Sequence, residues 1–152
     1  MSLFLEIARV FFGLLFINSG LNHLTKLDAM TGYAQYKKLP AAKLGVILSG
    51  IVILLGGVGI VIGLWVDLSG LAIAVFLVLA ALIFHNFWKE TDATAKMNET
   101  IAFFKDLALA GAGVIIYGYA HAAYQVYLLG EKMHAPIKIF GWAIYNHIAL
   151  FH

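Results

Sequence analysis

Residues 41–65 read AAKLGVILSGIVILLGGVGIVIGLW, and no charged side chain follows Lys43 within this stretch. A bilayer core about 30 Å thick is crossed by about 20 apolar residues in a helix. Backbone amides and carbonyls find no water there, so an isolated segment satisfies them only as an α-helix. The stretch therefore predicts a membrane-spanning helix.

Three further apolar runs of similar length flank this one. They cover residues 3–24, 68–88 and 100–128. Helices joined by short connections run alternately up and down. The sequence therefore predicts an all-α integral membrane protein with a four-helix up-down bundle over residues 1–128, followed by a C-terminal tail over residues 129–152.

Two segments outside the spans have the pattern of surface helices. In the first connection, apolar residues recur at helical spacing between Leu27 and Ala34, which favours a short helix at the membrane interface. In the tail, four apolar residues share one helical face: Ile137, Phe140, Ile144 and Ile148. The run after Pro136 is short for a span, so it predicts a C-terminal interfacial or partner-packed helix, with a fifth short span as the alternative.

The composition excludes several classes of protein. Hydrophobic residues make up 62% of the chain and charged residues 12%, which is too few to cover a soluble globule. The formal net charge of +2 gives no basic surface for nucleic acid. Cys is absent, so the chain itself forms no disulfide, thiolate metal site or iron–sulfur cluster. The expected surroundings are the lipids of the cell (inner) membrane.

Polar side chains gather at one end of three predicted spans. Burial of polar groups in hydrocarbon is costly, so each one marks a candidate functional site. They are Asn22 and His23 ending span 1, His85, Asn86 and Trp88 ending span 3, and Lys105 and Asp106 near the start of span 4. Because these ends reach the same leaflet, we expect one ligand pocket between spans 1, 3 and 4. Its expected aromatic walls are Phe84, Phe87, Trp88, Phe103 and Phe104.

This set of groups suits a planar polar headgroup with an apolar tail, such as a quinone. Imidazole and ammonium groups donate hydrogen bonds to carbonyl oxygens, and His exchanges protons near neutral pH. The competing interpretation is structural, because Asn, His, Trp and Lys also occur at helix ends as caps and interfacial anchors. Lys105 and Asp106 lie a turn inside an apolar run, where they serve the site or neutralise each other.

The remaining polar residues give a weaker signal. Glu6 and Arg9 lie three residues apart on span 1 and are predicted to form a structural ion pair. A bis-histidine haem site from His23 and His85 has little support. Carboxylates are few and scattered and no HExxH pattern occurs, so no metal site is predicted.

Two segments resemble the DoxX family of small four-helix membrane proteins. They are RVFFGLLFINSGLNHL at residues 9–24 and FHNFWKETDATAKMNETIAFFKDLALAGAGVIIYG at residues 84–118. The second is similar to a subgroup with HNFW followed by FxKNLxLxG, with Asp106 in place of the Asn. Related proteins often have a Glu early in span 2, where this chain has Ser49. Across residues 5–120 the matching positions are Arg9, Gly20, His23, His85, Asn86, Trp88 and Lys105.

The resemblance implies a link to quinones, because the family takes its name from the membrane subunit of a thiosulfate:quinone oxidoreductase. Other members are linked to redox-stress complexes, and distant relatives act as membrane assembly factors. The expected function is a quinone-linked redox component or subunit, with quinone as the one cofactor indicated. Electrons would come from or go to a partner redox subunit, so the chain is not expected to be catalytic alone.

The alternative is a non-catalytic accessory or assembly subunit of a larger membrane complex. Gly-rich helix faces, such as that of Gly59 and Gly63, would then dock a partner membrane subunit or a second copy of the chain. A lipid or solute carrier is disfavoured, because the spans show no midplane polar site and no internal repeat.

The loop charges predict the orientation. The first and third connections lie on one side and carry six lysines: Lys26, Lys37, Lys38, Lys43, Lys89 and Lys96. The opposite side has Lys132 and Lys138, with Arg9 inside a span. Since Lys and Arg accumulate in cytoplasmic loops, both termini are predicted to be non-cytoplasmic.

Because the chain has no Cys, Ala95→Cys would place its single thiol in the third connection. In intact cells we expect this thiol to be protected from a membrane-impermeant maleimide and to react after permeabilisation. Ser2→Cys, at the N-terminus, should react in intact cells. Labelling of Ala95→Cys from outside would overturn the orientation.

Overall fold

The computed structural model of the chain describes residues 3–130, 137–139 and 142–144. Its helices are α1 (Leu3–Thr25), α2 (Leu27–Tyr36), α3 (Ala42–Ile62), α4 (Val66–Phe84) and α5 (Ala93–Gly130), with a 3₁₀ turn at Phe87–Lys89. Four of them, α1, α3, α4 and α5, are long and apolar enough to cross a membrane. The predicted all-α membrane fold is confirmed, and α2 is the short helix predicted in the first connection.

The connection between α3 and α4 is very short and uses left-handed backbone. Gly63 ends α3 with φ 79°, a conformation that glycine adopts without steric cost. Trp65, with φ 47°, immediately precedes α4. Helix α4 begins at Val66 and ends at Phe84, and His85 is the first residue after the helix.

Helix α5 is longer than the bilayer requires. At about 1.5 Å per residue, its 38 residues extend for about 57 Å, nearly twice the thickness of a hydrocarbon core. Its first two turns are polar and precede the apolar run that was predicted to start near Thr100. These turns therefore bring Glu99 close to the ends of α2 and α4.

Glycines set the distances between neighbouring helices. A Cβ atom on Gly57 of α3 would lie 2.8 Å from the carbonyl oxygen of Gly13 on α1. A Cβ atom on Gly70 of α4 would lie 2.8 Å from the carbonyl oxygen of Gly113 on α5. Lipid provides no hydrophobic drive between helices, so such close backbone contact is what holds them together.

The four spans follow one another in the order α1, α3, α4, α5. Neighbours in this row pack together, and α2 lies against α3. Phe16, Ile53, Ile73 and Ala110 are among the buried residues of the central core. The two ends of the row, α1 and α5, make at most slight contact in the part of the chain that the structure describes.

The tail differs from the predicted C-terminal helix where the structure describes it. Ile137–Ile139 (β1) and Trp142–Ile144 (β2) form a short antiparallel ladder. β-branched and aromatic residues favour strands. The helix prediction is thus corrected for these two segments, while its other positions, Phe140 and Ile148, lie outside the described residues.

The close contact of α1 with α3 makes a stability prediction. Gly57→Ala should lower the stability by about 1–3 kcal/mol, because the added methyl group meets backbone atoms that cannot yield. Gly111→Ala is the matched control, since its methyl group would meet nothing within 4 Å. Thermal unfolding in detergent measures both, and equal melting temperatures for the two variants would contradict the packing described.

Candidate functional site

A cavity of about 440 Å³ lies among the five helices at the end that carries the first and third connections. Its lining is mostly apolar. The polar side chains in the lining are Ser19, His23, Tyr33, Ser49, His85, Lys105 and Asp106. A mostly apolar cavity of about 300–1,000 Å³ with a few convergent polar groups is the usual form of a small-molecule site.

Three of the predicted ligand residues meet at this cavity. His23 comes from α1, His85 follows α4, and Lys105 lies on α5. These are the three spans between which the sequence predicts the pocket. The structure therefore brings His23 together with two residues that lie more than sixty positions later in the sequence.

His23 is held by its own helix. Its Nδ1 lies 2.9 Å from the carbonyl oxygen of Ser19, one turn earlier. In a neutral ring whose Nδ1–H donates to that carbonyl, Nε2 is left as an acceptor. The edge of the ring also meets Phe76, with 6.2 Å between ring centroids.

The other three predicted ligand residues, Asn22, Asn86 and Trp88, are not part of the cavity lining. The Asn22 side-chain amide donates to the carbonyl oxygen of Asn18 at 3.0 Å, along α1. The Asn86 amide donates to the carbonyl oxygen of Ile83 at 3.2 Å, at the end of α4. Both Asn side chains therefore bond to backbone near helix ends.

The expected aromatic walls form a separate cluster. The rings of Phe87 and Trp88 lie 5.4 Å and 5.7 Å from that of Phe103 on α5. Phe104 joins them at 5.4 Å from Phe103. This cluster fixes the 3₁₀ turn on α5, and of the expected aromatic residues Phe84 lines the cavity.

The imidazole of His85 lies between two carboxylates of α5. Its Nδ1 is 2.7 Å from Glu99 Oε2, and its Nε2 is 3.5 Å from Asp106 Oδ2. Glu99 and Asp106 are seven residues apart, which places them on the same face of the helix. An imidazolium donates to both sides, whereas a neutral ring donates to one and accepts from a protonated carboxyl on the other.

Lys37 extends this cluster toward the end of α2. Its side chain is 6% exposed, and its Nζ lies 3.4 Å from Glu99 Oε1 and 3.6 Å from Glu90 Oε1. Burial lowers the pKa of Lys37, but Tyr33, Glu99 and Glu90 outweigh it, so the net pKa is above the ordinary value. These ion pairs tie the end of α2 to α5.

Several of the charged residues around His85 were not predicted from the sequence to belong to the site. Asp106 is recognised there only as a neighbour of Lys105, and Lys37, Glu90 and Glu99 are not connected with the pocket. One signal was available, because the seven-residue spacing of Glu99 and Asp106 predicts a shared helix face. Lys37 and Glu90 come from different connections, so only the tertiary fold brings them to Glu99.

The opposite end of the bundle holds the other predicted polar residues. Glu6 is exposed and Arg9 is partly buried on α1, and their ion pair stays a prediction. At the same end of the bundle, His121 Nδ1 lies 3.7 Å from Asp67 Oδ2. Within the described residues, no three His, Asp or Glu side chains are arranged so that they could hold a metal ion.

Comparison with known proteins bears on the fold and the family. The family model described as DoxX matches residues 4–86, more than half of the chain. The match extends from α1 to His85 and Asn86. No curated protein and no solved structure matches the chain. The narrower subgroup with the HNFW motif stays a prediction.

The buried ion pairs of Lys37 make a pH-dependent prediction. Because the pKa of Lys37 is raised, its stabilising effect is complete below the ordinary value of 10.5 and is lost as the pH rises through the raised value. Lys37→Met should therefore lower the stability by about 1–3 kcal/mol near neutral pH. Above the raised pKa, the difference from the unaltered protein should shrink.

Thermal unfolding in detergent over a range of pH measures this difference. Lys38→Met is the matched control, since Lys38 is exposed beside Lys37. A deficit in Lys37→Met that does not change with pH would contradict the assigned charge pairing.

Proposed function

The chain belongs to the DoxX family, and we propose that it is a quinone-linked component of a membrane redox system. In this proposal a quinone-type ligand binds between α1, α4 and α5. The observation that carries the proposal is the cavity of about 440 Å³ into which His23, His85 and Lys105 converge. The family match is consistent with this function but does not identify a ligand.

In this proposal two polar groups of the lining hold the two carbonyl oxygens of a quinone ring. His23 is on α1 and Lys105 is on α5, two helices that line the same cavity without packing closely on each other. A ring bound between them would have a polar group on either side. The Lys105 ammonium donates to one oxygen, and the Nε2 of His23 donates when protonated or accepts the O–H of a quinol when neutral.

The apolar lining suits the rest of such a molecule. Phe16, Phe76, Leu77 and Leu109 are among the residues that surround the cavity. Membrane quinones carry a long apolar tail that is most stable in hydrocarbon. Since α1 and α5 make at most slight contact in the described residues, the tail would leave the cavity between them.

The electrons for the reaction would come from another subunit. Reduction of a quinone to a quinol takes two electrons and two protons, and oxidation releases them. Without Cys the chain builds no iron–sulfur cluster, and its sequence carries no motif for a redox cofactor. In this proposal the chain therefore supplies the quinone site, and a partner supplies or receives the electrons.

The accessory-subunit alternative depends on free glycine faces for docking. In α3, however, Gly57 packs on α1 and Gly59 lies against Leu64 and Ser69 near the start of α4. Gly111 and Gly118 of α5 have nothing within 4 Å in the described part of the chain. A docking partner would therefore meet α5, and the glycines of α3 serve the bundle itself.

The proposed site predicts which side chains control quinone affinity. Titration of decylubiquinone into quinone-depleted protein in lipid nanodiscs, followed by intrinsic fluorescence, measures the Kd. His23→Gln and Lys105→Met should each weaken binding about tenfold or more, as expected for loss of a hydrogen bond or charged contact worth about 1.5–3 kcal/mol.

Matched variants control for general effects of substitution. His121→Gln makes the same change at the opposite end of the bundle, and Lys96→Met removes an exposed Lys from the first turns of α5. Neither residue lines the cavity, and both variants should bind as the unaltered protein does. If the unaltered protein neither co-purifies with quinone nor binds decylubiquinone, the proposed function is rejected.

A further inference from the structure

The cluster formed by Lys37, Glu99, His85 and Asp106 joins the cavity to the surface of the bundle. We propose that this cluster is a proton path, in which His85 transfers protons between the cavity and the aqueous side that faces the first and third connections. The proposal rests on the proposed function, because it is quinone chemistry that requires proton transfer.

The path is continuous from one titratable group to the next. Asp106 Oδ2 lies 3.5 Å from His85 Nε2, and His85 Nδ1 lies 2.7 Å from Glu99 Oε2. The other oxygen of Glu99 accepts from Lys37 Nζ at 3.4 Å. Imidazole is suited to the middle position, because it accepts a proton at one nitrogen and releases one from the other.

The two ends of the path lie in different surroundings. His85 and Asp106 both line the cavity, and the Asp106 side chain is 10% exposed. Toward the surface, the side chains of Glu99 and Glu90 are 20% and 28% exposed. Water therefore reaches the outer carboxylates more readily than the inner one, as a path between cavity and solvent requires.

Charged and titratable groups surround His85 on several sides. The titratable and charged groups that face it or its partners are Glu99, Lys105 and Asp106 from α5, Tyr33 and Lys37 from α2 and its end, Glu90 after the 3₁₀ turn, and His23 across the cavity. One imidazole is shared by two carboxylates, so a proton can be held on either side of it. Lys37 keeps the Glu99 carboxylate ionised, so that a proton arriving from His85 is passed on to water instead of being retained on Glu99.

The stoichiometry of quinol oxidation determines how many protons the path must carry. When a bound quinol is oxidised, two O–H bonds break, two electrons go to the oxidant and two protons leave the cavity. Each proton passes to the carboxylate or imidazole that lines the cavity, and from His85 through Glu99 to water. When a quinone is reduced, the same groups carry two protons inward.

The test uses decylubiquinol bound to the protein in nanodiscs and ferricyanide as the oxidant. Two ferricyanide ions take the two electrons and no protons, so a pH indicator in stopped flow reports proton release separately from ferricyanide bleaching. Glu99→Gln should slow proton release by about 100-fold or more, within the range that general acid–base groups contribute. Glu6→Gln, the same change on the exposed far end of α1, should have no effect.

A rescue experiment distinguishes a proton path from a structural role. His85→Ala should slow proton release to a similar extent and recover when imidazole is added to the solution, because the free base replaces the missing ring. The Kd for decylubiquinol is measured for every variant, so that slow release is not confused with lost binding.

The outcomes separate the two proposals. If decylubiquinol binds but Glu99→Gln releases protons at the unaltered rate, the path is wrong and the quinone site stands. If His85→Ala does not fold, Glu99→Gln alone decides. If the unaltered protein binds no decylubiquinol, the proposed function fails, and the proton path fails with it.

Discussion

Close backbone contact at glycines is the constraint on which the rest of this structure depends. Apolar side chains gain nothing by leaving lipid for another helix, so the helices are held where their backbones can touch. Gly13 with Gly57 joins α1 to α3, and Gly70 with Gly113 joins α4 to α5. No comparable contact draws α1 against α5 in the described residues, and both of these helices contribute to the lining of the cavity.

Polar residues determine how helix α2 is held over the cavity at the open end of the bundle. Helix α2 packs over the cavity with the apolar residues Met30 and Ala34, but its end is fixed by the ion pairs of Lys37 with Glu99 and Glu90. Charged groups at this end attract water, whereas apolar side chains in the same place would exclude water. The same ion pairs thus stabilise the fold and, in the proposed proton path, lie on the route between a bound ligand and water.

The spans and the depth of the polar residues follow from sequence, but the direction of each side chain does not. Depth in the membrane alone predicts that Asn22 and His23 both line the pocket. Adjacent helical positions point about 100° apart, however, and of the two residues it is His23 that lines the cavity. Trp88 was expected beside them, but α4 ends earlier and the chain turns toward α5. Lys37 and Glu99 meet only through the tertiary fold, and the tail has residues that suit both helix and strand.

Occupation of the cavity by a quinone headgroup is tested most directly by photolabelling. A photoreactive azidoquinone, irradiated with the protein in nanodiscs, is located by mass spectrometry of the digested chain. Cross-links should fall on cavity residues of α1 and α5, such as Ser19, His23 and Leu109, and excess decylubiquinone should abolish them. Labels confined to exposed outer positions, such as Phe11 and Ile115, and insensitive to the competitor would contradict a quinone site in this cavity.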